Sequence, residues 1–222
     1  MKELILFAGT VFMGMFAIMN PIANTPIFIG LTQSNTPAQK RKIAIQSVLY
    51  AFIIVSVFCV SGHFIFKLFG ITLPAFQITG GILLFLVGYS MIQGKKSAVH
   101  HFPDSADAVI KKMHEEDEMN IAVSPLAIPI LAGPGTIATA MNFVGASSGV
   151  FHLMTVVISF AALCLLTLIM FVYGEKFINY LGRAVVGVIT RIMGLILSVI
   201  ATQMVIVGIN GAIELYKTSG AG

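Results

Sequence analysis

The stretch Met19–Phe28, "MNPIANTPIF", places two prolines and three polar side chains inside an otherwise apolar run. The residues before it read LILFAGTVFMGMFAI and those after it begin IGL, so the surroundings suit a continuous apolar helix. Proline removes a backbone donor and clashes with the preceding helical turn. Hydrocarbon offers no hydrogen-bond partner to Asn20, Asn24 or Thr25. The stretch therefore predicts a helix that is broken inside a membrane.

The composition supports a membrane location for the whole chain. Of the 222 residues, 57% are hydrophobic and 10% are charged, and the mean hydropathy is +0.96. A soluble domain carries about 25% charged residues. Apolar stretches long enough to cross a bilayer, roughly 20 residues each, recur along the chain. The sequence therefore predicts an all-α integral membrane protein, and the net charge of +4 indicates basic anchors rather than a nucleic-acid partner.

Six apolar segments are predicted to span the membrane, and the first of them contains the break. A hydrophilic loop over residues 94–120, which holds six of the nine acidic residues, separates the third segment from the fourth. The six predicted spans cover residues 4–31, 43–69, 75–93, 121–144, 150–173 and 185–215.

The basic residues predict the orientation. If the N-terminus lies outside, ten of the 13 Lys and Arg residues fall in inner loops, and only Lys2, Lys67 and Lys217 lie outside. Lys and Arg in short loops resist translocation. Both termini are therefore expected on the outer side of a multi-pass membrane protein.

An internal repeat relates the two halves of the chain. Pro21 and Pro134 lie 113 residues apart, and "GILLFLVGYSM" (Gly81–Met91) aligns with "GLILSVIATQM" (Gly194–Met204) at the same offset. Because three spans are an odd number, the second copy would enter the membrane from the opposite side. This predicts a first three-helix repeat over 1–93, a cytoplasmic loop over 94–120 and an inverted repeat over 121–222. The alternative is that six spans simply share a helix-forming composition.

The second predicted break, "ILAGPGTIATAM" (Ile130–Met141), occupies the matching position in the second copy. Asn20 and Gly133 would each lie about eleven residues into the membrane, roughly 16 Å deep in a core about 30 Å thick. Irregular backbone at that depth survives only where protein or a water-filled cavity satisfies it. Secondary transporters often place their binding site between two such broken helices.

The helices that follow the breaks are expected to begin with capping residues. Thr25 followed by Pro26 is typical of an N-cap and the first helical position, and Thr136 could cap the second helix. Helix N-termini attract carboxylates and other anions. The alternative is that the prolines produce kinks without function. The predicted substrate-binding residues are Asn20, Pro21, Asn24, Thr25, Pro26, Gly133, Pro134, Gly135 and Thr136.

Other polar residues are weaker candidates. Arg191 lies a few residues inside the sixth span, where it could extend to the interface or act in gating and substrate contact. Gln77 and Gln203 could line a polar path or join helices by hydrogen bonds. His100 and His101 lie in the charged loop, where a solvated role is favoured over metal binding.

The chain carries no enzyme motif, with no GxSxG, no HExxH and no phosphate-binding loop. We therefore predict neither catalysis nor a cofactor. No Asp or Glu lies well inside a predicted span, since Glu175 and Glu214 fall at span ends. Sodium held by backbone carbonyls would need no such carboxylate. The sequence leaves open coupling to Na⁺, coupling to H⁺ and facilitated diffusion.

The motifs "MNPIANTPIF", "PLAIPILAGPGTIATAM" and "TRIMGLIL" together resemble the MarC family of bacterial and archaeal inner-membrane proteins. The resemblance covers nearly the whole chain. It implies six spans, a relation to exporters of the LysE superfamily and a location in the cytoplasmic membrane of a prokaryote. Some relatives are described as transporters of small neutral amino acids such as glycine and alanine, and the family supplies no catalytic residues.

These observations predict a secondary transporter of small neutral amino acids or similar zwitterions. Its expected partners are a small solute, membrane lipid and a coupling ion, and homo-oligomerisation is left open. One alternative is a carrier of another solute, such as a drug or an amphipathic lipid. The other is a non-transporting scaffold or sensor that acts through the loop over 94–120.

Overall fold

The computed structural model describes residues 2–94, 126, 130–145 and 149–219. These ranges are helical with short connections, and no β-strand occurs in them. We number the helices in chain order as α1 (Lys2–Met19), α2 (Pro21–Leu31), α3 (Pro37–Phe69), α4 (Leu73–Ile92), α5 (Pro134–Gly145), α6 (Val150–Leu181) and α7 (Arg183–Ser219).

Five helical segments of the described chain are long and apolar enough to cross a membrane. They confirm the predicted first, second, third, fifth and sixth spans to within a few residues at most ends. The fourth predicted span, 121–144, lies partly outside the described residues, which include its second half as α5. The five segments are Glu3–Leu31, Pro37–Gly62, Leu73–Ile92, Val150–Gly174 and Ala184–Lys217.

Local capping explains where α3 begins and ends. The Thr36 side chain and Gln39 form a reciprocal capping box before Pro37, and this starts the helix six residues before the predicted span. Gly70 ends α3 with a left-handed φ of 63°. Thr72 then caps α4, so the turn between the second and third spans is short. The basic residues after Pro37 therefore lie on a helix and not in a loop.

The core and the outer surface are both apolar. One cluster of buried side chains, including Met15, Met19, Val55 and Phe160, joins α1, α3 and α6. The opposite faces of the helices expose large apolar side chains, among them Ile158 and Leu195. A helix that is hydrophobic on all faces is typical of a membrane span.

Helices α4 and α7 pack antiparallel along small residues. A methyl group at Gly81 would lie 2.8 Å from the Ala201 carbonyl oxygen, and one at Gly194 would lie 2.7 Å from the Gly88 carbonyl oxygen. Side chains at such positions would force the backbones apart, as at other small-residue helix contacts in membranes. We call this contact the glycine seam.

Helix α6 runs in the same direction as the first span. The Phe7 ring centroid lies 5.0 Å from that of His152. Farther along both helices, the Thr167 hydroxyl lies 3.7 Å from the Met19 sulfur. The first break therefore lies against the middle of α6.

Candidate functional site

The first break is a single residue in a left-handed conformation. Helix α1 ends at Met19, α2 begins at Pro21, and Asn20 between them has φ 39° and ψ 68°. Within the described part of the chain, Asn20 is the only non-glycine residue with positive φ. Asparagine tolerates this conformation better than most residues. The break predicted at Asn20–Pro21 is confirmed.

The side chain of Asn20 is both a cap and a buried donor. Its Oδ1 accepts a hydrogen bond of 3.1 Å from the backbone N–H of Ala23. The side chain is 3% exposed, and its Nδ2 has no hydrogen-bond partner. An unpaired buried donor costs about 1–3 kcal/mol. An oxygen acceptor that reached this nitrogen would therefore bind favourably.

The predicted roles of Thr25 and Pro26 are wrong, because both lie inside α2. The cap is Asn20, and Pro21 takes the first helical position. The hydroxyl of Thr25 donates to the Pro21 carbonyl at 2.7 Å, and Pro26 is exposed. Because proline has no N–H, Pro26 cannot give the carbonyl of Ile22 its usual helical hydrogen bond.

Asn24 connects the two sides of the first break. Its Nδ2 donates to the Met19 carbonyl, the last residue of α1, over 2.6 Å. Its backbone N–H donates to the Asn20 carbonyl at 3.1 Å. Asn24 is 8% exposed. These bonds satisfy part of the backbone that the break would leave unpaired, and they hold its geometry.

The second break lies at Ala132–Gly133. The backbone has the wider π-helical winding at Ile130 and Leu131, bends at Ala132, and becomes α-helical again at Pro134. The Ile137 N–H donates to the Gly133 carbonyl at 3.1 Å, so Gly133 occupies the cap position. The second predicted break is confirmed directly before Pro134.

Thr136 does not cap α5, and this prediction is also wrong. It lies in the first turn of the helix, two residues after Pro134, and is 2% exposed. Pro134 itself is exposed. Since the cap position belongs to a glycine, no side chain at that position can pair with the first N–H groups of α5.

The two broken spans lie side by side. A methyl group at Gly135 would lie 2.8 Å from Cδ1 of Ile18, two residues before the first break. On the same pair of helices, a methyl group at Gly14 would lie 3.0 Å from the Phe143 ring. Gly135 was expected to face a ligand, but the Ile18 side chain occupies the space where a side chain at residue 135 would lie. The close approach of the two breaks depends on this glycine.

Helix α6 supports the first break from the other side. A methyl group at Gly174 would collide with the Thr25 side chain. One turn of α2 later, the rings of Phe28 and Phe171 stack with centroids 4.4 Å apart. The fully buried Thr167 hydroxyl donates to the Leu163 carbonyl at 2.8 Å. The backbone around Asn20 is thus packed between α5 and α6.

The weaker candidates lie in separate places. Gln77 is 5% exposed and donates from Nε2 to Oδ1 of Asn142 at 2.8 Å, so it joins α4 to α5. Gln203 is exposed on α7. Arg191 is exposed next to Gly94, at the end of the glycine seam. The histidines at 100 and 101 lie outside the described residues.

Sequence reasoning missed Asn142 and Thr167. Asn142 is a polar residue within the apolar run that follows Pro134, and this position could have suggested a helix-to-helix hydrogen bond. Thr167 in a long apolar span gave no signal of its own. Across residues 2–94, 126, 130–145 and 149–219, no group of three His, Cys, Asp or Glu side chains could hold a metal ion.

Long apolar helices, apolar outer faces and interrupted spans define a multi-pass integral membrane protein. The model of the MarC family of integral membrane proteins matches residues 5–213, so the chain belongs to this family.

Similar proteins come from bacteria and archaea. The chain is 40% identical to the UPF0056 membrane protein YvbG of Bacillus subtilis, over 92% of this chain and 95% of that one. It is 42% identical to PH0760 of Pyrococcus horikoshii, over 90% and 92%. It is 30% identical to YhcE of Escherichia coli, over 90% of each chain. No solved structure matches.

Proposed function

We propose that this protein is a secondary transporter of small neutral amino acids or similar small zwitterions, with the two breaks as its binding site. The observation that carries the proposal is the buried Nδ2 of Asn20, which has no partner and lies in a left-handed break beside a second broken span. A transporter binds its cargo where non-helical backbone is protected from lipid.

The chemistry of the breaks suits a zwitterion. The amide of Asn20 and the positive N-terminal ends of α2 and α5 would bind a carboxylate without a charged side chain. Carbonyls that lack a helical donor, such as that of Ile22 four residues before Pro26, would accept from the ammonium group. Close helix packing at Gly135 would restrict the site to small cargo.

The two-repeat architecture is part of this proposal. An offset of 113 residues relates Asn20 to Gly133 and Pro21 to Pro134. The same offset relates the Gly81–Ala201 contact of the glycine seam to the Gly194–Gly88 contact. Such reciprocal contacts are expected from two inverted three-helix repeats about a pseudo-two-fold axis.

We place the protein in the cytoplasmic membrane with both termini outside. Lys40, Arg41 and Lys176 come from distant parts of the chain and line one cavity, so these three cations lie on one side of the molecule. The positive-inside rule assigns that side to the cytoplasm.

The protein would transport its solute unchanged, without acting as an enzyme.

Uptake by proteoliposomes tests the proposal. Purified protein would be reconstituted, and labelled glycine and alanine offered with and without Na⁺ and H⁺ gradients. We expect uptake above that of empty vesicles and competition by other small neutral amino acids. A gradient that drives accumulation would identify the coupling ion. Uptake equal to that of empty vesicles under every gradient, or uptake only of unrelated solutes, would contradict the proposed cargo.

A further inference from the structure

A cavity of about 190 Å³ lies where the C-terminal end of α2, the first turns of α3 and the far part of α6 meet. An apolar cavity of about 150 Å³ is known to hold a benzene molecule. The cavity is therefore large enough for a group of about the size of benzene and not only for water. It lies apart from the breaks, since Phe28, which lines it, follows Asn20 by eight residues, about 12 Å along a helix.

Three basic side chains line the cavity. Lys40 and Arg41 come from the start of α3, and Lys176 comes from α6. No Asp or Glu is among the described residues that line it. The N-terminal end of α3 adds a partial positive charge, because Pro37 also lines the cavity. Such a concentration of cations favours an anion, and phosphate accepts several charge-assisted hydrogen bonds at once.

The inner wall of the cavity is apolar. Phe28 and Phe171 are 2% and 3% exposed and stack with an interplanar angle of 7°. Val172 and Tyr173 continue this surface outward and are exposed. Basic side chains next to an apolar wall that continues onto an exposed surface match a molecule with a charged head and an apolar tail.

We propose that this cavity binds the phosphate headgroup of an anionic phospholipid. Lys40, Arg41 and Lys176 bind the phosphate, and the acyl chains lie along the exposed apolar surface beside Val172. Basic pockets between membrane helices on the cytoplasmic side are suited to such headgroups. This site is separate from the proposed transport site and would fix α2 and α6 together at their cytoplasmic ends.

Thermal unfolding of the full chain in detergent micelles tests the proposal. Cys59 and Cys164 are free and buried, so a thiol-reactive dye reports their exposure on unfolding. The probes are phosphatidylglycerol, phosphatidylcholine and inorganic phosphate. We expect phosphatidylglycerol at about 100 times its Kd to raise the unfolding temperature by about 5 °C. Phosphatidylcholine and inorganic phosphate should each change it by less than about 1 °C.

A charge-matched pair of variants locates the effect. Arg41→Gln/Lys176→Gln should reduce the phosphatidylglycerol shift by more than half. Lys67→Gln/Lys217→Gln removes the same charge from exposed positions elsewhere and should keep the shift. The charge-retaining variant Arg41→Lys/Lys176→Arg should also keep most of it. If the Gln double variant does not fold, the single variants replace it, and each should lower the shift.

Several results would overturn the proposal. Equal shifts with phosphatidylglycerol and phosphatidylcholine would show that charge is not recognised. An equal shift with inorganic phosphate would assign the cavity to a free anion and not to lipid. An equal loss in Lys67→Gln/Lys217→Gln would show that overall charge, and not this cavity, produces the effect.

Discussion

The first and second breaks lie 113 residues apart along the chain and are built from different residues. In the first, Asn20 adopts a left-handed conformation, caps α2 and keeps a buried amide nitrogen without a partner. In the second, Gly133 supplies only a backbone carbonyl at the start of α5, and Gly135 lets that helix approach Ile18. The first break therefore contributes side-chain chemistry, and the second contributes close approach.

This difference shows that position alone does not make the two breaks equivalent. A symmetrical pair of helix ends would present two similar backbone surfaces to a ligand. Here only the first break offers a side-chain donor, the amide of Asn20. We therefore expect a bound zwitterion to take one orientation, with its carboxylate toward Asn20. Substitutions at Asn20 and Gly135 can separate the two contributions.

The largest expected effect on stability is at Asn20. Asn20→Leu removes the cap and forces a branched side chain into the left-handed region, which together should cost about 2–3 kcal/mol. Denaturant or thermal unfolding in micelles measures this cost. Thr10→Leu, at an exposed position on α1, is the control and should change stability little. An Asn20→Leu protein as stable as the native one would contradict the described geometry of the first break.

The next effect tests whether the breaks are neighbours. Gly135→Ala places a methyl group against Ile18 Cδ1, the terminal carbon of a side chain that can shift, and should destabilise the protein by at most about 1.5 kcal/mol. Ile18→Val removes that carbon, so the double variant should be more stable than the sum of the single effects predicts. A double-mutant cycle of unfolding free energies measures the coupling. Strict additivity would indicate that the two residues do not touch.

A smaller effect is expected at Gln77. Gln77→Ala removes its hydrogen bond to Asn142 and should cost about 1 kcal/mol, whereas Gln203→Ala, at an exposed position, should stay within about 0.5 kcal/mol. Unfolding of both variants under one condition gives the comparison. Equal losses of unfolding free energy in the two variants would show that the hydrogen bond from Gln77 to Asn142 does not contribute to stability.

Hydropathy was sufficient to predict five of the spans, because a helix in lipid needs a long apolar run whatever its contacts. Both breaks were also predictable, since a proline in a helix interior removes a hydrogen bond and often kinks or breaks the helix. The start of the helix after the first break was not. Asn20–Pro21 and Thr25–Pro26 both have a capping residue before a proline, and the sequence alone favours neither. Two features favour the earlier start. Asn20 can adopt the left-handed backbone conformation, and the Asn24 side chain donates a hydrogen bond to the Met19 carbonyl.

Long-range contacts were beyond local patterns. The roles of Gln77 and Gly135 depend on residues 65 positions away in one case and more than a hundred in the other. A polar residue in an apolar run indicates that its side chain needs a hydrogen-bond partner. The sequence does not indicate which residue that partner is. Likewise, a glycine beside a proline suggests close approach without showing whether a ligand or a side chain fills the space.

The central claim is that the amide of Asn20 binds the transported solute, and uptake by the Asn20→Gly variant tests it most directly. Glycine tolerates the left-handed conformation and costs only a few tenths of a kcal/mol at a cap, so the protein should remain folded. Losing a hydrogen bond to a charged ligand group, worth about 1.5–3 kcal/mol, should lower glycine or alanine uptake at least about tenfold at subsaturating solute. Thr10→Ala should transport normally. Native uptake by a folded Asn20→Gly protein would contradict the account.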